Sequence, residues 1–276
     1  MSNYNADKNR RGKLIISLCV VAAVVLSAGA YVGYRFIRHE KNQSADIQSL
    51  RASVSKLSAT MKAASTNDVE WLDNGFNYLA IGNSITWHDL ASAWWNRVGM
   101  AASDAEHDYF HIVSSYLKAK NKEFMGLAYN FGVWEVQNYD RDETLQYLNH
   151  YLSPKLDLVT IQLAENASEL STYKEDYVSL INYIKKMAPK ARILVIGDFW
   201  TRQNRNDLKI EAVKVTNVEF VSLKGIADNK EYYCGMGTVV FGSDGKEHVV
   251  EHSGVAAHPG DKGMQAIADR IILALR

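Results

Sequence analysis

The sequence predicts an α/β domain: a mostly parallel five-stranded sheet between helical layers, preceded by one N-terminal transmembrane helix. Three observations predict it. Across residues 68–276, five short apolar runs alternate with stretches of helical periodicity. Runs this apolar suit parallel strands covered on both faces, and the alternation calls for βαβ crossovers and three layers. Finally, residues 14–34 carry no charge, and crossing a bilayer takes about 20 such residues.

Lys8, Arg10, Arg11 and Lys13 precede this segment, and Arg35, Arg38 and Lys41 follow it, offset by Glu40 and Asp46. The bias in basic residues puts the C-terminal part outside the cytoplasm, at the cell surface or in a periplasm. Ala28-Gly29-Ala30 has the form of a signal-peptide cleavage site. The apolar run continues past it through Tyr34, which favours an uncleaved anchor. The chain then divides into a tail (1–13), an anchor (14–37), a helical stalk or linker (38–67) and a globular domain (68–276). In the stalk, Ile47, Leu50, Val54, Leu57 and Met61 recur at alternating spacings of three and four. That is coiled-coil spacing over about two heptads, short of the three or four a coiled coil needs. It reads as a solvated helix, and as the place where a homodimer would form.

Within the domain the runs at 78–82, 125–131, 156–163, 192–197 and 218–223 are read as strands. Residues 91–100, 107–120 and 141–151 look helical. Thr172 and Glu175 have capping-box spacing ahead of an apolar face of Tyr177, Leu180, Ile181 and Ile184, and Pro189 lies beyond it. A further helix covers 206–215. The last presents Met264, Ile267, Ala268, Ile271, Ile272 and Leu275 on one side. Residues 238–250 break the pattern: two short β-prone runs flank Asp244-Gly245, a hairpin turn signal.

Composition narrows the function. Hydrophobic residues at 47% and charged residues at 22% fit an ordinary folded protein. Thirty-one basic residues balance 31 acidic ones, which argues against a nucleic-acid surface. The two cysteines, Cys19 and Cys234, fall in different segments, so no disulfide framework and no zinc spacing exists. Cys234 reads as a small core or loop residue, not a nucleophile.

Open α/β sheets place their sites beyond the carboxyl ends of their strands. The first strand ends at Gly82-Asn83-Ser84-Ile85-Thr86 and runs into Trp87-His88-Asp89, read as the start of a helix. Asn83 or Ser84 could simply cap that helix. Alternatively, Ser84 stands exposed on the turn, with backbone N–H groups facing a developing oxyanion. The other strand ends carry Gly132, Glu135, Glu165, Asn166 and Asp198, and His258-Pro259 precedes the last helix. Acyl transfer by serine needs a nucleophile, a base and oxyanion donors, and these residue types supply them.

From Tyr78 to Arg276 the sequence resembles the SGNH, or GDSL-like, hydrolase family. Gly82-Asn83-Ser84-Ile85-Thr86 resembles its first block, Gly132 the second-block glycine, Ala164-Glu165-Asn166 the third block and His258-Pro259 the last. The resemblance implies a flavodoxin-like three-layer sandwich, Ser84 as nucleophile, His258 as base, and an oxyanion hole of Ser84, Gly132 and Asn166. It implies no metal and no organic cofactor. Asn83 stands where the family has Asp, and Ala164 where it has Gly, which reads as a mild steric change. The family's acid lies three residues before the histidine, and here that position is Val255. Glu251 takes the acid's role, or a backbone carbonyl orients the ring, or the site is weak.

Other residues near these strand ends are candidates for substrate contact. His88 lies one turn beyond Ser84. Glu135, Glu165 and Asp198 end strands and read either as pocket carboxylates or as solvated or capping ones. Trp87, Trp134 and Trp200 follow strand ends, as a sugar platform or as core. The function so implied is an extracytoplasmic serine esterase removing short acyl groups, such as O-acetyl, from a glycan or small molecule. A glycan O-acetyltransferase with the same acyl-enzyme, and a catalytically degenerate glycan-binding scaffold, are the alternatives.

Overall fold

Each apolar run forms a strand: β1 (Phe76–Gly82), β2 (Phe124–Asn130), β3 (Leu158–Gln162), β4 (Arg192–Ile196) and β5 (Glu219–Val221). All pair in parallel, in the order β2-β1-β3-β4-β5, the 2-1-3-4-5 order of flavodoxin-like sheets. The computed structural model describes residues 69–137 and 140–276. The expected tail, anchor and stalk, with its dimer seam and Cys19, lie outside the described residues. Among the described residues, no helix is long and apolar enough to cross a membrane.

Successive side chains of a strand point to opposite faces, so an unbroken apolar run feeds two cores. Leu79, Ile81, Val159, Ile161, Ile193 and Val195 join one core. Tyr78, Ala80, Leu158, Leu194 and Ile196 join the other. In chain order the α-helices are α1 (Tyr109–Lys120), α2 (Gly132–Val136), α3 (Tyr173–Met187), α4 (Gln203–Thr216), α5 (Ser253–Ala256) and α6 (Asp261–Ala274). Helices α3 and α4 cover the first face, and α1 and α6 the second. The hairpin of β6 (Val239–Phe241) and β7 (Glu247–Val249) stands apart as an antiparallel pair.

Three expected helical features take another form. Residues 91–100 are irregular, with an isolated bridge between Ala91 and Trp94. Trp94, Val98 and Met100 pack instead with Val240, Val250 and Val255 beneath the hairpin. Residues 141–150 form a 3₁₀-helix, Arg141–His150. Thr172 makes no cap: its hydroxyl donates to Asp176 at 2.9 Å, and Asp176 in turn holds the buried Arg141 at 2.6 Å.

Candidate active site

The chain leaves β1 toward β2 on one side and returns to β3 on the other, so the crevice lies beyond the carboxyl ends of β1 and β3. Gly82 is in register with Asn130 and with Gln162, which brings three strand ends level. Gly82 must be glycine, because a Cβ there would sit 1.8 Å from Thr86 Oγ1. A turn follows, where a helix was expected. The Asn83 carbonyl accepts from the N–H groups of Thr86 (3.0 Å) and Trp87 (3.1 Å), and Asn83 Oδ1 accepts from the Ile85 N–H at 3.0 Å. Ser84 rides on this turn, half-buried, its carbonyl held by the Met100 N–H at 2.7 Å. Its own N–H has no partner among the described residues.

Ser84 Oγ lies 2.8 Å from His258 Nε2, and His258 Nδ1 lies 2.7 Å from the Gly254 carbonyl oxygen. A carbonyl can only accept, so Nδ1 carries the proton. The neutral ring therefore offers a bare Nε2 to the serine hydroxyl, the tautomer a general base needs. The spacing that achieves this is local. The His258 N–H goes to the Val255 carbonyl, leaving the Gly254 carbonyl, within the single turn of α5, for the ring four residues on.

Of the arrangements open for the missing acid, the structure holds the backbone carbonyl. Val255, at the family's acid position, is 3% exposed and packed in the core beneath the hairpin, where a carboxylate would lack a partner. Glu251 is exposed and outside the histidine's hydrogen bonds. Trp200 packs edge-on to the ring with centroids 5.0 Å apart and donates its indole N–H to the Ala257 carbonyl at 3.0 Å. Burial above all, together with the charge of His88, pushes the His258 imidazole down to about 4, against the opposing pull of the Gly254 bond. His88 itself is half-buried, with Nδ1 against the Asp89 carbonyl at 2.6 Å.

The expected oxyanion donors divide. The Ser84 N–H is open, and Asn166 stands exposed at the rim with one N–H given to Glu135 Oε2 at 2.6 Å. A primary amide has a second N–H to offer. The Gly132 N–H, by contrast, is committed to Asn130 Oδ1 at 2.9 Å. Asn130 also donates to the Trp87 carbonyl at 2.8 Å, tying the turn after β1 to the end of β2, a role that nothing in its sequence neighbourhood signals.

The residues expected to touch substrate lie beneath the site instead. Trp134 is 0% exposed and packs against Tyr173 and Tyr177. Asp198 is buried in ion pairs with Arg205 and Lys209, both at 2.7 Å. The Glu165 carboxylate is enclosed although the residue keeps some exposed surface. It accepts from Gln162 Nε2 (2.7 Å), the Phe199 N–H (2.9 Å) and Asn83 Nδ2 (2.8 Å). Burial, then the charge of Asp198, pushes this carboxyl up to about 7, with Glu135 adding to the rise and Lys209 opposing it.

Asn83 explains one departure from the family pattern. Its amide donates to both Glu135 Oε1 (3.0 Å) and Glu165 Oε2 (2.8 Å). An aspartate there would set a third carboxylate against two others and could donate to neither. The other departure is less mild than its size suggests. Ala164 adopts a φ of 155°, a region that disfavours any side chain, so its methyl carries strain that glycine would not. Cys234 is half-buried, its thiol pushed up chiefly by burial, as befits a packing residue.

No protein-family model and no curated protein sequence matches the chain. Solved structures do. A GDSL-like lipase from Bacteroides ovatus is similar at 14% identity and a TM-score of 0.48, over 73% of this chain and 98% of that one. A two-domain esterase active on acetylated mannans is similar at 17% identity and a TM-score of 0.47, over 80% of this chain and 52% of that one. An active-site mutant of a family two carbohydrate esterase from Clostridium thermocellum is similar at 16% identity and a TM-score of 0.43, over 75% of this chain and 64% of that one. Similarity at this level concerns the fold, and chemistry has to be read from side chains.

Proposed function

We propose that the chain is a serine esterase, anchored by residues 14–37, whose catalytic domain faces outside the cytoplasm and removes short acyl groups such as O-acetyl from glycans. One observation carries the chemistry: Ser84 Oγ on His258 Nε2 at 2.8 Å, with the ring's tautomer set by the Gly254 carbonyl. Ser84 Oγ attacks the ester carbonyl carbon while His258 Nε2 takes its proton. The Ser84 N–H and the Asn166 amide receive the oxyanion. His258 returns the proton to the leaving alcohol, and water then attacks the acyl-serine by the same route in reverse. The half-buried nucleophile and the exposed Asn166 form an open site, which suits an acyl group borne on a large polar molecule. The Trp200 ring, edge-on to His258, is half-buried and presents apolar surface to a sugar.

The test is acetate release from an acetylated oligosaccharide by the 276-residue chain in detergent, followed against pH. The base must be neutral, and protonation removes it. Activity is therefore expected to hold as pH falls through the ordinary histidine range near 6.5 and to drop only as it approaches about 4. An acid limb at 6.5 or above would contradict the half-buried, carbonyl-held base. Transfer to a sugar hydroxyl shares the acyl-enzyme, and acetylation of an added unacetylated oligosaccharide would reveal it.

A further inference from the structure

Glu135 is 0% exposed. Burying a carboxylate costs several kcal/mol unless it is well paired, yet no cation touches this one among the described residues. Its partners are three neutral N–H donors. Oε1 accepts from Asn83 Nδ2 at 3.0 Å and from the Ala164 N–H, and Oε2 accepts from Asn166 Nδ2 at 2.6 Å. The donors come from two loops: Asn83 precedes Ser84 after β1, and Ala164 and Asn166 follow β3. One carboxylate thus joins the turn that carries the nucleophile to the amide that would receive the oxyanion.

The bond to Asn166 has a direction. An exposed carboxamide can turn over and exchange its oxygen for its NH₂ at little cost. Burial pushes the Glu135 carboxyl up, and the bonds from Asn83, Asn166 and the Ala164 N–H pull it back down. With N–H donors on both its oxygens the carboxylate only accepts, so Oε2 holds the NH₂ in place and keeps the oxygen away.

We infer that Glu135 is a positioning residue for ester hydrolysis: it fixes the Asn166 amide as an oxyanion donor at a set distance from Ser84. This rests on the serine-esterase reading above. Glutamine at this position has one carbonyl and one NH₂. With its oxygen kept on Asn83 and Ala164, its NH₂ meets the NH₂ of Asn166, and Asn166 turns over. An oxygen then replaces the donor beside the developing charge.

The experiment is a double-mutant cycle on the 276-residue chain, with Glu135→Gln, Asn166→Ala and both together, and Ser84→Ala as reference. Each single change is expected to lower kcat by about 10²- to 10³-fold, the usual loss for one oxyanion donor, with KM little changed. The double variant is expected to be no worse than Asn166→Ala alone, because Glu135 acts through Asn166. A merely structural carboxylate would lower activity by the same factor in both backgrounds, and that result overturns the inference. So does wild-type kcat in Glu135→Gln. If Glu135→Gln folds poorly, Glu135→Asp carries the same cycle: it keeps both acceptor oxygens but withdraws them by one methylene. Its kcat loss is expected to vanish on the Asn166→Ala background, and a loss that persists there overturns the inference. Hydrolysis that survives Ser84→Ala removes the esterase reading itself. Hydrolysis lost in Ser84→Ala but intact in Glu135→Gln removes only the role of Glu135.

Discussion

Ser84→Ala is expected to lower kcat for ester hydrolysis by about 10³- to 10⁵-fold, and His258→Ala by a similar factor, with the double variant no worse than either. The serine and histidine act as a unit through a 2.8 Å hydrogen bond, so removing one leaves nothing for the other to do. The figure sits somewhat below the loss seen in full triads for a physical reason. A triad's carboxylate both selects the tautomer and stabilises the imidazolium. Here the Gly254 carbonyl does the first at 2.7 Å but brings no negative charge for the second. Ser84 is half-buried on a turn held by Asn83, so alanine should leave thermal stability unchanged. Steady-state acetate release and a melting curve check both parts. An active Ser84→Ala variant would remove the mechanism.

Asp198→Ala is expected to destabilise the domain by about 3–5 kcal/mol, the usual cost of breaking a buried ion pair from one side. At about 2–4 °C per kcal/mol for a domain of this size, Tm should fall by about 6–20 °C. The change leaves Arg205 and Lys209, 3% and 0% exposed at their side chains, without their carboxylate. Lys209 retains the Ile196 carbonyl at 2.9 Å and the face of the Tyr177 ring, and Arg205 the Glu165 and Ala167 carbonyls at 3.0 and 3.5 Å, none of which carries a negative charge. Differential scanning calorimetry measures the shift. An unchanged Tm with a raised KM would return Asp198 to the role of substrate contact that its place at a strand end suggested.

The strands were legible because parallel strands buried on both faces read as unbroken apolar runs, and all five formed. The irregular stretch at 91–100 was not legible as such. Its apolar spacing imitates a helix, but the side chains serve the small core beneath a hairpin distant in sequence. There Gly99 lies so close to the Ile85 carbonyl that a Cβ would sit 2.5 Å away.

At the site, the sequence pointed to Ser84 and His258 through residue types and order, and the structure brings the two together. What it could not show is which carboxylates turn inward. From their place at strand ends, Glu135, Glu165 and Asp198 read either as pocket carboxylates or as solvated or capping ones. Their fate is decided by partners on other elements: the Asn83 and Asn166 amides, and two cations on α4. One signal for this was present. Arg205 and Lys209 share a helical face with Ala212, Val213 and Thr216, all buried, so cations at that spacing on an inward face call for buried acids opposite. The histidine's carbonyl partner was less accessible, since whether position 255 points at His258 or into a core depends on the path of the whole loop.

The most direct test of the central claim is covalent labelling of the folded chain with an alkyl fluorophosphonate, located by peptide mass spectrometry. A serine activated by His258 is expected to give one adduct, on the peptide that carries Ser84, absent in Ser84→Ala and slowed at least a hundredfold, by order of magnitude, in His258→Ala. Folded wild-type chain that takes no label, or takes it at the same rate without His258, would contradict the account.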